Sequence, residues 1–360
     1  MTELFGDPFN FDFKAVTPSM VERALTKETL ALEDLGALLA PAAEPYLEAM
    51  AVKAQDLTRR FFGLNIALYT PLYLANYCQN QCLYCGYSQL NNIKRGVLTP
   101  KEIQKELTAI KKTGLKDVLL LTGESRVKSG PDFINAAVSQ AAADFPSVGL
   151  EVYPFTTEEY AAAKAAGADY VCLYQETYDP VLYDRIHPKG PKKDYNWRLF
   201  GPERALEAGI RQVGLGALLG LGDFRPDVLA LGAHGQYLSQ KFPAAEIAYS
   251  TPRLRPASGI QPLGAVSEKE LGQIIFALRI FSPSFGISLS TRERAFYRDN
   301  LIGLGVTRLS AGVKTTVGGH DGEANGSEQF AKSDDRGVTE VQKAIAAKGH
   351  QPVFTDYARL

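Results

Sequence analysis

The sequence predicts an α/β fold: a (β/α)8 TIM barrel preceded by an N-terminal helical extension. From Ile66 onward, short β-rich runs alternate with longer helical stretches, the pattern of βα units around a parallel sheet. There are eight such runs, which is the strand number of a (β/α)8 barrel. A doubly wound sheet is the main alternative, but no Gly-x-Gly-x-x-Gly turn follows the first strand.

The part of the chain before the barrel reads as short amphipathic helices. Residues 17–25 and 30–39 carry apolar side chains at helical spacing, and Pro41 and Pro45 interrupt the segment. We therefore expect three parts: a helical extension at residues 1–62, the barrel at 63–318, and a loop and helix at 319–360 that close the barrel.

The barrel strands are predicted from short runs rich in β-branched, aromatic and other apolar residues. Each run is followed by a stretch long enough for a crossover helix, as parallel strands require. The predicted strands are residues 66–74, 117–122, 149–155, 170–175, 213–221, 246–251, 286–290 and 308–314.

Several helix ends carry capping signals. Thr99 precedes Pro100, a pair typical of an N-cap followed by proline in the first turn. A second helix is predicted to start at Thr156 or Thr157 and to end at Gly167, and another to start at Ser267.

Three of the four cysteines fall within eight residues, as Cys78-x3-Cys82-x2-Cys85. A 4Fe–4S cluster normally takes four cysteine ligands, so a triplet would leave one iron open to a small molecule. Zinc is the alternative, but structural zinc sites use four ligands and paired knuckles, and only one such pair is present. Cys172 lies in an apolar run and is predicted to be a core residue.

Composition excludes several classes of function. Net charge is −1, from 39 basic and 40 acidic residues, so nothing indicates a nucleic-acid binder. No apolar stretch reaches the roughly 20 residues that a membrane helix needs. The first seven residues lack the basic start and apolar core of a secretory signal, so a cytoplasmic location is expected.

Polar residues follow most predicted strands, where barrel active sites lie. Glu124 follows the second strand and Glu176 the fourth. Ser290 and Arg292 follow the seventh, two residues apart and therefore on one face, where a hydroxyl and a guanidinium suit a carboxylate. A surface ion pair is the alternative for Arg292. His234 lies within a predicted helix, where a packing histidine is the usual finding.

Beyond these features, the sequence resembles the aromatic amino acid lyase branch of the radical S-adenosylmethionine (SAM) superfamily, most closely its tyrosine lyases of thiamine biosynthesis. The cysteine triplet with Tyr84 before the last cysteine is the superfamily signature. The resemblance covers the chain from about residue 10 onward. It is carried by residues 76–87, 173–178, 187–199, 252–256 and 289–293.

The resemblance implies that Cys78, Cys82 and Cys85 hold a 4Fe–4S cluster whose open iron binds SAM. Reductive cleavage of SAM then gives methionine and a 5′-deoxyadenosyl radical, which abstracts hydrogen from the amino group of L-tyrosine. Cleavage between Cα and Cβ yields 2-iminoacetate and p-cresol.

The same resemblance implies roles for individual residues. Glu124 is expected to accept a hydrogen bond from the SAM amino group, and Ser290 and Arg292 to grip the tyrosine carboxylate. The remaining expected site residues are His234, facing the phenol, and Tyr84, Glu176 and Arg198, near SAM.

Expected partners are an electron donor such as flavodoxin or ferredoxin, and thiazole synthase as the enzyme that uses the product. Three alternatives remain. The first is a radical SAM lyase of tryptophan or another amino acid. The second is a tyrosine lyase of the hydrogenase-maturation type, which carries a further cysteine-containing domain, whereas no cysteine follows Cys172 here. The third is a zinc-binding scaffold protein.

Overall fold

Eight parallel strands form a closed barrel in the computed structural model, which describes residues 8–255 and 264–354. Outside these ranges lie residues 1–7 of the predicted N-terminal extension, residues 355–360 of the predicted closing segment, and residue 256 of the resembling stretch 252–256. The strands are β1 (Asn65–Ala75), β2 (Asp117–Thr122), β3 (Ser147–Glu151), β4 (Tyr170–Cys172), β5 (Gln212–Gly216), β6 (Glu246–Ser250), β7 (Gly286–Leu289) and β8 (Arg308–Ser310).

Neighbouring strands in the barrel follow sequence order, and pairing of β1 with both β2 and β8 closes it. The predicted (β/α)8 fold is therefore confirmed. A ninth strand, β9 (Gln351–Val353), was not predicted; it pairs with β1 in parallel, with Asn65 opposite Gln351. Pro352 in its middle lacks the backbone N–H of a ladder donor, as is tolerated at the edge of a sheet.

All eight predicted strands exist, but several end earlier than predicted. The third was predicted as residues 149–155 and is Ser147–Glu151, and the fifth and eighth are also shorter at their carboxyl ends. The apolar residues that extended these predictions belong to buried loops at the barrel mouth, such as Phe155 and Leu219. Because β3 ends at residue 151 and not at 155, Glu151 lies at the carboxyl end of this strand.

The helices are α1 (Pro18–Thr26), α2 (Leu32–Leu39), α3 (Leu47–Phe62), α4 (Pro100–Lys112), α5 (Pro131–Ala142), α6 (Thr157–Ala166), α7 (Pro180–Ile186), α8 (Tyr195–Leu199), α9 (Gly201–Glu207), α10 (Phe224–Lys241), α11 (Glu268–Phe281), α12 (Ala295–Asn300) and α13 (Val338–Ala347). The predicted capping residues are confirmed. The Thr99 and Ser267 hydroxyls each accept the backbone N–H three residues later, at 3.3 Å and 3.2 Å. Gly167 ends α6 in the left-handed region, with φ of 114°.

Of the N-terminal helices, α2 packs against α10 and α11 and α3 packs against α11, on the outside of the barrel, while α1 packs on α2 and α3. Leu35, Leu38 and Leu39 of α2 are fully buried, and each such leucine contributes about 1.5–3 kcal/mol relative to exposure. Gln273 of α11 donates its side-chain amide to the carbonyls of Leu38 (2.9 Å) and Ala40 (3.0 Å). The extension therefore supports the wall of the barrel.

A charged group fills the barrel near the amino ends of its strands. The Arg308 guanidinium lies between the rings of Tyr69 and Tyr170, 4.2 Å and 4.5 Å from their centroids, and pairs with Asp117 at 2.5 Å. Since Arg308, Asp117 and Tyr170 each begin a strand, this group separates the barrel mouth at the carboxyl ends from another cavity at the amino ends, which is lined by Asp117 and Arg308 among others. In the described ranges, no helix has the length and apolar character needed to cross a membrane.

Candidate active site

The three clustered cysteines line one cavity at the carboxyl end of the barrel, which we call the cysteine cavity. Cys82 is buried, Cys78 and Cys85 are half-buried, and all three are free thiols. Glu124 and Arg198 lie in the same wall. The loop that carries the cysteines follows β1 directly, so the barrel frame sets where its thiols lie.

Backbone hydrogen bonds hold this loop to its neighbours. It is anchored to the loop after β2 on one side, and to the end of α7 and the segment after it on the other. The bonds run from the N–H groups of Gln79, Gln81 and Leu83 to the carbonyls of Glu124 (2.8 Å), Lys189 (2.9 Å) and Ile186 (3.0 Å).

Two side-chain amides point at cysteine sulfurs. Asn80 donates through Nδ2 to Cys78 Sγ at 3.6 Å and to Glu124 Oε2 at 2.6 Å. Gln329 donates through Nε2 to Cys85 Sγ at 3.8 Å, although it lies 244 residues further along the chain. Hydrogen bonds to ligand sulfurs are one of the means by which proteins tune an iron–sulfur cluster.

The donor set suits a metal centre. Burial raises the pKa of the Cys82 thiol to about 12, and burial and the neighbouring Cys78 raise that of Cys85. Thiolates this close together in a shielded site need a compensating cation, which bound iron would supply. Across residues 8–255 and 264–354, no group of three or more His, Cys, Asp or Glu side chains is placed to hold a metal ion. The three cysteines nevertheless line the same cavity.

The ring of Tyr84 is held in a defined orientation. His187 Nδ1 lies 2.8 Å from the Tyr183 carbonyl, which can only accept, so this nitrogen carries the proton. His187 Nε2 is then the acceptor for the Tyr84 hydroxyl at 2.9 Å. Burial lowers the pKa of His187 to about 3, which keeps the imidazole neutral.

A largely buried ion cluster stands beside the cysteines. The Glu176 carboxylate pairs with Lys192 at 2.7 Å and with Arg198 at 3.5 Å. Burial alone would raise the pKa of Glu176, but the two cations outweigh it and hold the pKa below its usual value. Glu176 is also the one non-glycine residue in the described ranges with positive φ, at 75°, a strained conformation of the kind that clusters at functional sites.

A second cavity adjoins the first and contains Ser290 and Arg292; we call it the arginine cavity. The Arg292 guanidinium stacks on the Phe330 ring, 3.5 Å from the centroid. Burial lowers the pKa of Arg292 from its usual value, but guanidinium groups stay protonated in proteins. Tyr84 lies in this wall, together with apolar and aromatic residues that include Tyr69, Tyr73, Leu119, Leu121, Tyr174 and Leu218.

Residues 315–334, which we call the strap, cover the junction of the two cavities. Gln329 Oε1 accepts a hydrogen bond from the Tyr73 hydroxyl at 2.9 Å, while its amide faces Cys85. The Gln329 backbone approaches Gly86 so closely that a Cβ at Gly86 would overlap its carbonyl oxygen. Ser333 N–H donates to the Thr291 carbonyl at 2.8 Å, next to Arg292.

Glu151 stands in the wall that the two cavities share. Burial raises the pKa of its carboxyl to about 7, and nearby Arg292 opposes that rise. No other residue in the described ranges makes a hydrogen bond or ion pair with its carboxylate. The sequence offered a signal for Glu151, an acidic residue inside a β-rich run, but the predicted strand continued past it.

Most of the predicted site residues are brought together. The cysteine cavity contains Cys78, Cys82, Cys85, Glu124, Glu176 and Arg198, and the arginine cavity contains Tyr84, Ser290 and Arg292. His234 is placed elsewhere: it is buried in α10 and its Nδ1 lies 3.0 Å from the Tyr178 hydroxyl. It lines neither cavity, so we leave it out of the substrate site.

Sequence reasoning missed four residues of the site. Lys192 lies inside one of the resembling motifs and could have been found there. Glu151 was hidden by the misplaced strand end. Gln329 and Phe330 belong to the strap, whose contact with the cysteine loop carries no local sequence signal.

Comparisons with known proteins agree with this geometry. Residues 72–231 match the Radical SAM superfamily, and residues 250–351 match the Biotin and Thiamin Synthesis associated domain. The 2-iminoacetate synthases of Salmonella typhimurium and Escherichia coli are each 42% identical over 357 residues, which covers 99% of this chain and 95% of theirs.

Solved structures show the same architecture. The FeFe-hydrogenase maturase HydG from Carboxydothermus hydrogenoformans superposes with a TM-score of 0.88 at 32% identity, covering 95% of this chain and 80% of that one. The two synthases match this chain over nearly its whole length, and three cysteines line the cavity at the barrel mouth. The chain therefore belongs to the radical SAM superfamily and, within it, to the 2-iminoacetate synthase family.

Proposed function

We propose that the chain is a radical SAM lyase that cleaves the Cα–Cβ bond of L-tyrosine to give 2-iminoacetate and p-cresol, for thiazole formation in thiamine biosynthesis. The observation that carries this proposal is the juxtaposition of two cavities at the barrel mouth. One contains three cysteines, and the other contains an arginine among aromatic walls. The near full-length identity to 2-iminoacetate synthases supports it.

Membership of the superfamily implies a 4Fe–4S cluster and SAM. We propose that Cys78, Cys82 and Cys85 are the three protein ligands of the cluster. When bound, the cluster and SAM supply the 5′-deoxyadenosyl radical that removes hydrogen from the substrate amino group. Asn80 and Gln329 direct amide N–H groups at two of the ligand sulfurs, which orients the thiolates and withdraws negative charge from them.

The other charged residues of the cysteine cavity suit the amino acid part of SAM. Glu124 uses Oε2 for Asn80, so Oε1 remains as an acceptor for the SAM amino group. Arg198 is buried, and its Nε donates to the Tyr174 carbonyl at 2.7 Å, which fixes the guanidinium beside Glu176. We propose that Glu124, Glu176 and Arg198 bind SAM.

The arginine cavity suits tyrosine. The face of the Arg292 guanidinium is covered by Phe330, so its edge remains for a carboxylate. Ser290 lies beside it, accepting the Arg292 backbone N–H at 3.4 Å, and its hydroxyl hydrogen remains to donate. We propose that this pair grips the tyrosine carboxylate while the tyrosine and leucine side chains of the wall surround the phenol ring.

The strap and the buried rings would keep water out of the reacting space. A carbon radical that abstracts hydrogen needs its target held close and competing reactions excluded. Gln329 and Phe330 place the strap over both cavities, so one segment closes the cofactor site and the substrate site together.

The test is an anaerobic assay of the reconstituted, reduced protein with SAM and L-tyrosine. We expect 5′-deoxyadenosine and p-cresol in equal amounts, and glyoxylate from hydrolysis of 2-iminoacetate. Mixtures lacking either tyrosine or SAM should give no p-cresol. Deoxyadenosine without p-cresol would reopen the identity of the amino acid. Neither product, from protein that holds its cluster, would refute the proposal.

A hydrogenase-maturation type of tyrosine lyase is the second candidate, favoured by the superposition on HydG. That reading predicts carbon monoxide and cyanide from the same mixture. A haemoglobin trap for carbon monoxide in the same vials separates the two candidates, and we expect no signal in it.

Two further assignments complete the proposal. An electron donor such as flavodoxin or ferredoxin reduces the cluster, and thiazole synthase receives the product by direct contact. We also propose the division into an extension at residues 1–62, the barrel at 63–318 and a closing segment at 319–360. The strap, residues 315–334, spans the boundary between the last two parts.

A further inference from the structure

Glu151 is the acidic side chain of the site whose role the preceding assignments leave open. Glu176 is held by two cations and Glu124 by Asn80, whereas Glu151 has no hydrogen-bonding or ion-pairing partner among residues 8–255 and 264–354. Shielded carboxylates are ordinarily paired or hydrogen-bonded, because burying an isolated charge is costly. A carboxylate left open in a cavity wall therefore points to a ligand as its partner.

The position of Glu151 restricts what that ligand is. It ends β3 opposite Leu121 of β2 and faces both cavities, so it lies where a molecule in one meets a molecule in the other. Among the cations, Arg292 has the largest electrostatic effect on the pKa of Glu151, yet the two side chains make no ion pair. A carboxylate and a guanidinium that face one space without pairing match the ammonium and carboxylate of an α-amino acid.

We propose that Glu151 binds the α-amino group of the substrate tyrosine and accepts a proton from its ammonium form. This inference rests on the proposed function and assigns a further catalytic residue to it. Arg292 and Glu151 would then hold the two ends of one zwitterion, which places the amino nitrogen at the junction with the cysteine cavity.

The chemistry requires such a group. An ammonium has no lone pair to stabilise a nitrogen-centred radical, so hydrogen abstraction needs the neutral amine. One N–H bond of the ammonium breaks, its electron pair stays on nitrogen, and an O–H bond forms on Glu151. This step moves one proton and leaves every oxidation state unchanged.

The surroundings make Glu151 a stronger base than an exposed glutamate. A carboxyl with a pKa of about 7 accepts a proton from an amine more readily than one near 4.5. Shielding by the barrel is the main cause, Glu176 adds to it, and Arg292, Arg198 and Lys192 oppose it. Glu151 in turn contributes to raising the pKa values of four neighbouring groups, Tyr69, Tyr73, Cys172 and Tyr174.

The test compares tyrosine with 3-(4-hydroxyphenyl)propionate, which lacks only the amino group. Binding of each to the reconstituted enzyme with SAM is measured by anaerobic equilibrium dialysis. The wild type should prefer tyrosine, and Glu151→Gln should reduce that preference about ten- to a hundredfold, the worth of a charge-assisted hydrogen bond. Glu158→Gln, an exposed change on α6, should leave the preference intact. An undiminished preference in Glu151→Gln overturns the inference.

A pH profile separates proton acceptance from simple binding. In the wild type, kcat/KM for p-cresol should fall as pH drops through about 7, because protonated Glu151 cannot accept a proton. Glu151→Asp should keep this acid limb at a lower rate, and the residual rate of Glu151→Gln should lack it. A limb that persists in Glu151→Gln also overturns the inference.

The controls distinguish this failure from that of the proposed function. Visible absorbance of the cluster must match the wild type in both variants, which shows that the barrel has folded. Absence of p-cresol from the wild type itself would refute the tyrosine lyase. If the wild type forms p-cresol, but the Glu151 variants keep the wild-type substrate preference and pH profile, only the role of Glu151 is refuted.

Discussion

Replacing Glu176 with glutamine should destabilise the chain strongly, because it leaves two cations without their anion. Glu176, Lys192 and Arg198 have side chains that are 11%, 13% and 9% exposed, so water screens them little. At an effective dielectric constant of about 20, distances of 2.7 Å and 3.5 Å correspond to gross attractions of about 6 and 5 kcal/mol. Desolvation offsets much of this.

Measured losses on breaking buried pairs are about 3–5 kcal/mol, and we expect Glu176→Gln to lower the free energy of unfolding by that amount. Glutamine keeps the shape of the side chain and the φ of 75° at this position, so backbone strain cancels in the comparison. Adding Lys192→Met removes one of the two stranded cations and should restore about 1–3 kcal/mol.

The assay is urea unfolding of the metal-free protein, followed by the fluorescence of its single tryptophan, Trp197, which directly precedes Arg198 and stacks on Arg204. Glu44→Gln is the control: it breaks an exposed pair with Lys269 and should unfold at the wild-type urea concentration. A loss below about 1 kcal/mol for Glu176→Gln, or no recovery in the double variant, would refute the reasoning.

The same comparison has a predictable pH dependence. The folded-state pKa of Glu176 lies below its ordinary value of 4.5, so its ionised form stabilises the fold above that pH. The difference between wild type and Glu176→Gln should be full near neutrality and should shrink as the pH falls below about 4.5.

Three further predictions concern the site. Arg292→Lys should keep the cluster but weaken tyrosine binding about tenfold or more, since lysine lacks the planar fork; an unchanged dissociation constant would remove Arg292 from the site. Cys82→Ala should abolish the cluster absorbance and activity, whereas Cys172→Ala should retain both; loss of the cluster in both variants would mean that the ligand set is wrong. Gly86→Ala should displace the strap and expose it to limited proteolysis, while Gly337→Ala, whose Cβ meets nothing closer than 3.6 Å, should not; equal cleavage rates would contradict this.

Sequence patterns predicted the barrel well because its determinants are local. Strand runs, capping residues such as Thr99 and Ser267, and the left-handed Gly167 each act within a few residues. Strand ends were less predictable, because the loops at the mouth of a barrel are themselves apolar and buried. The misplaced end of β3 concealed Glu151 for this reason.

The candidate site was predictable where motifs carry it and not where tertiary contacts do. The cysteines, Ser290 and Arg292 stand in short motifs, and the structure places them in the walls of the two cavities. Gln329 and Phe330 reach the site through contacts with Cys85 and Arg292 that only the folded chain reveals. His234 lies in α10, which packs on the outside of β5 and β6. Its position in the sequence does not reveal how far its side chain is from the cavities.

The strap also bears on the order in which the site is completed. Residues 315–334 leave the ribosome after all eight barrel strands, and chains fold as they emerge. Cys85 belongs to a loop made much earlier, and in the folded chain Gln329 of the strap covers it. The strap is therefore the last of the segments that form the site to be synthesised, and it closes the site only when the rest of the barrel is already present.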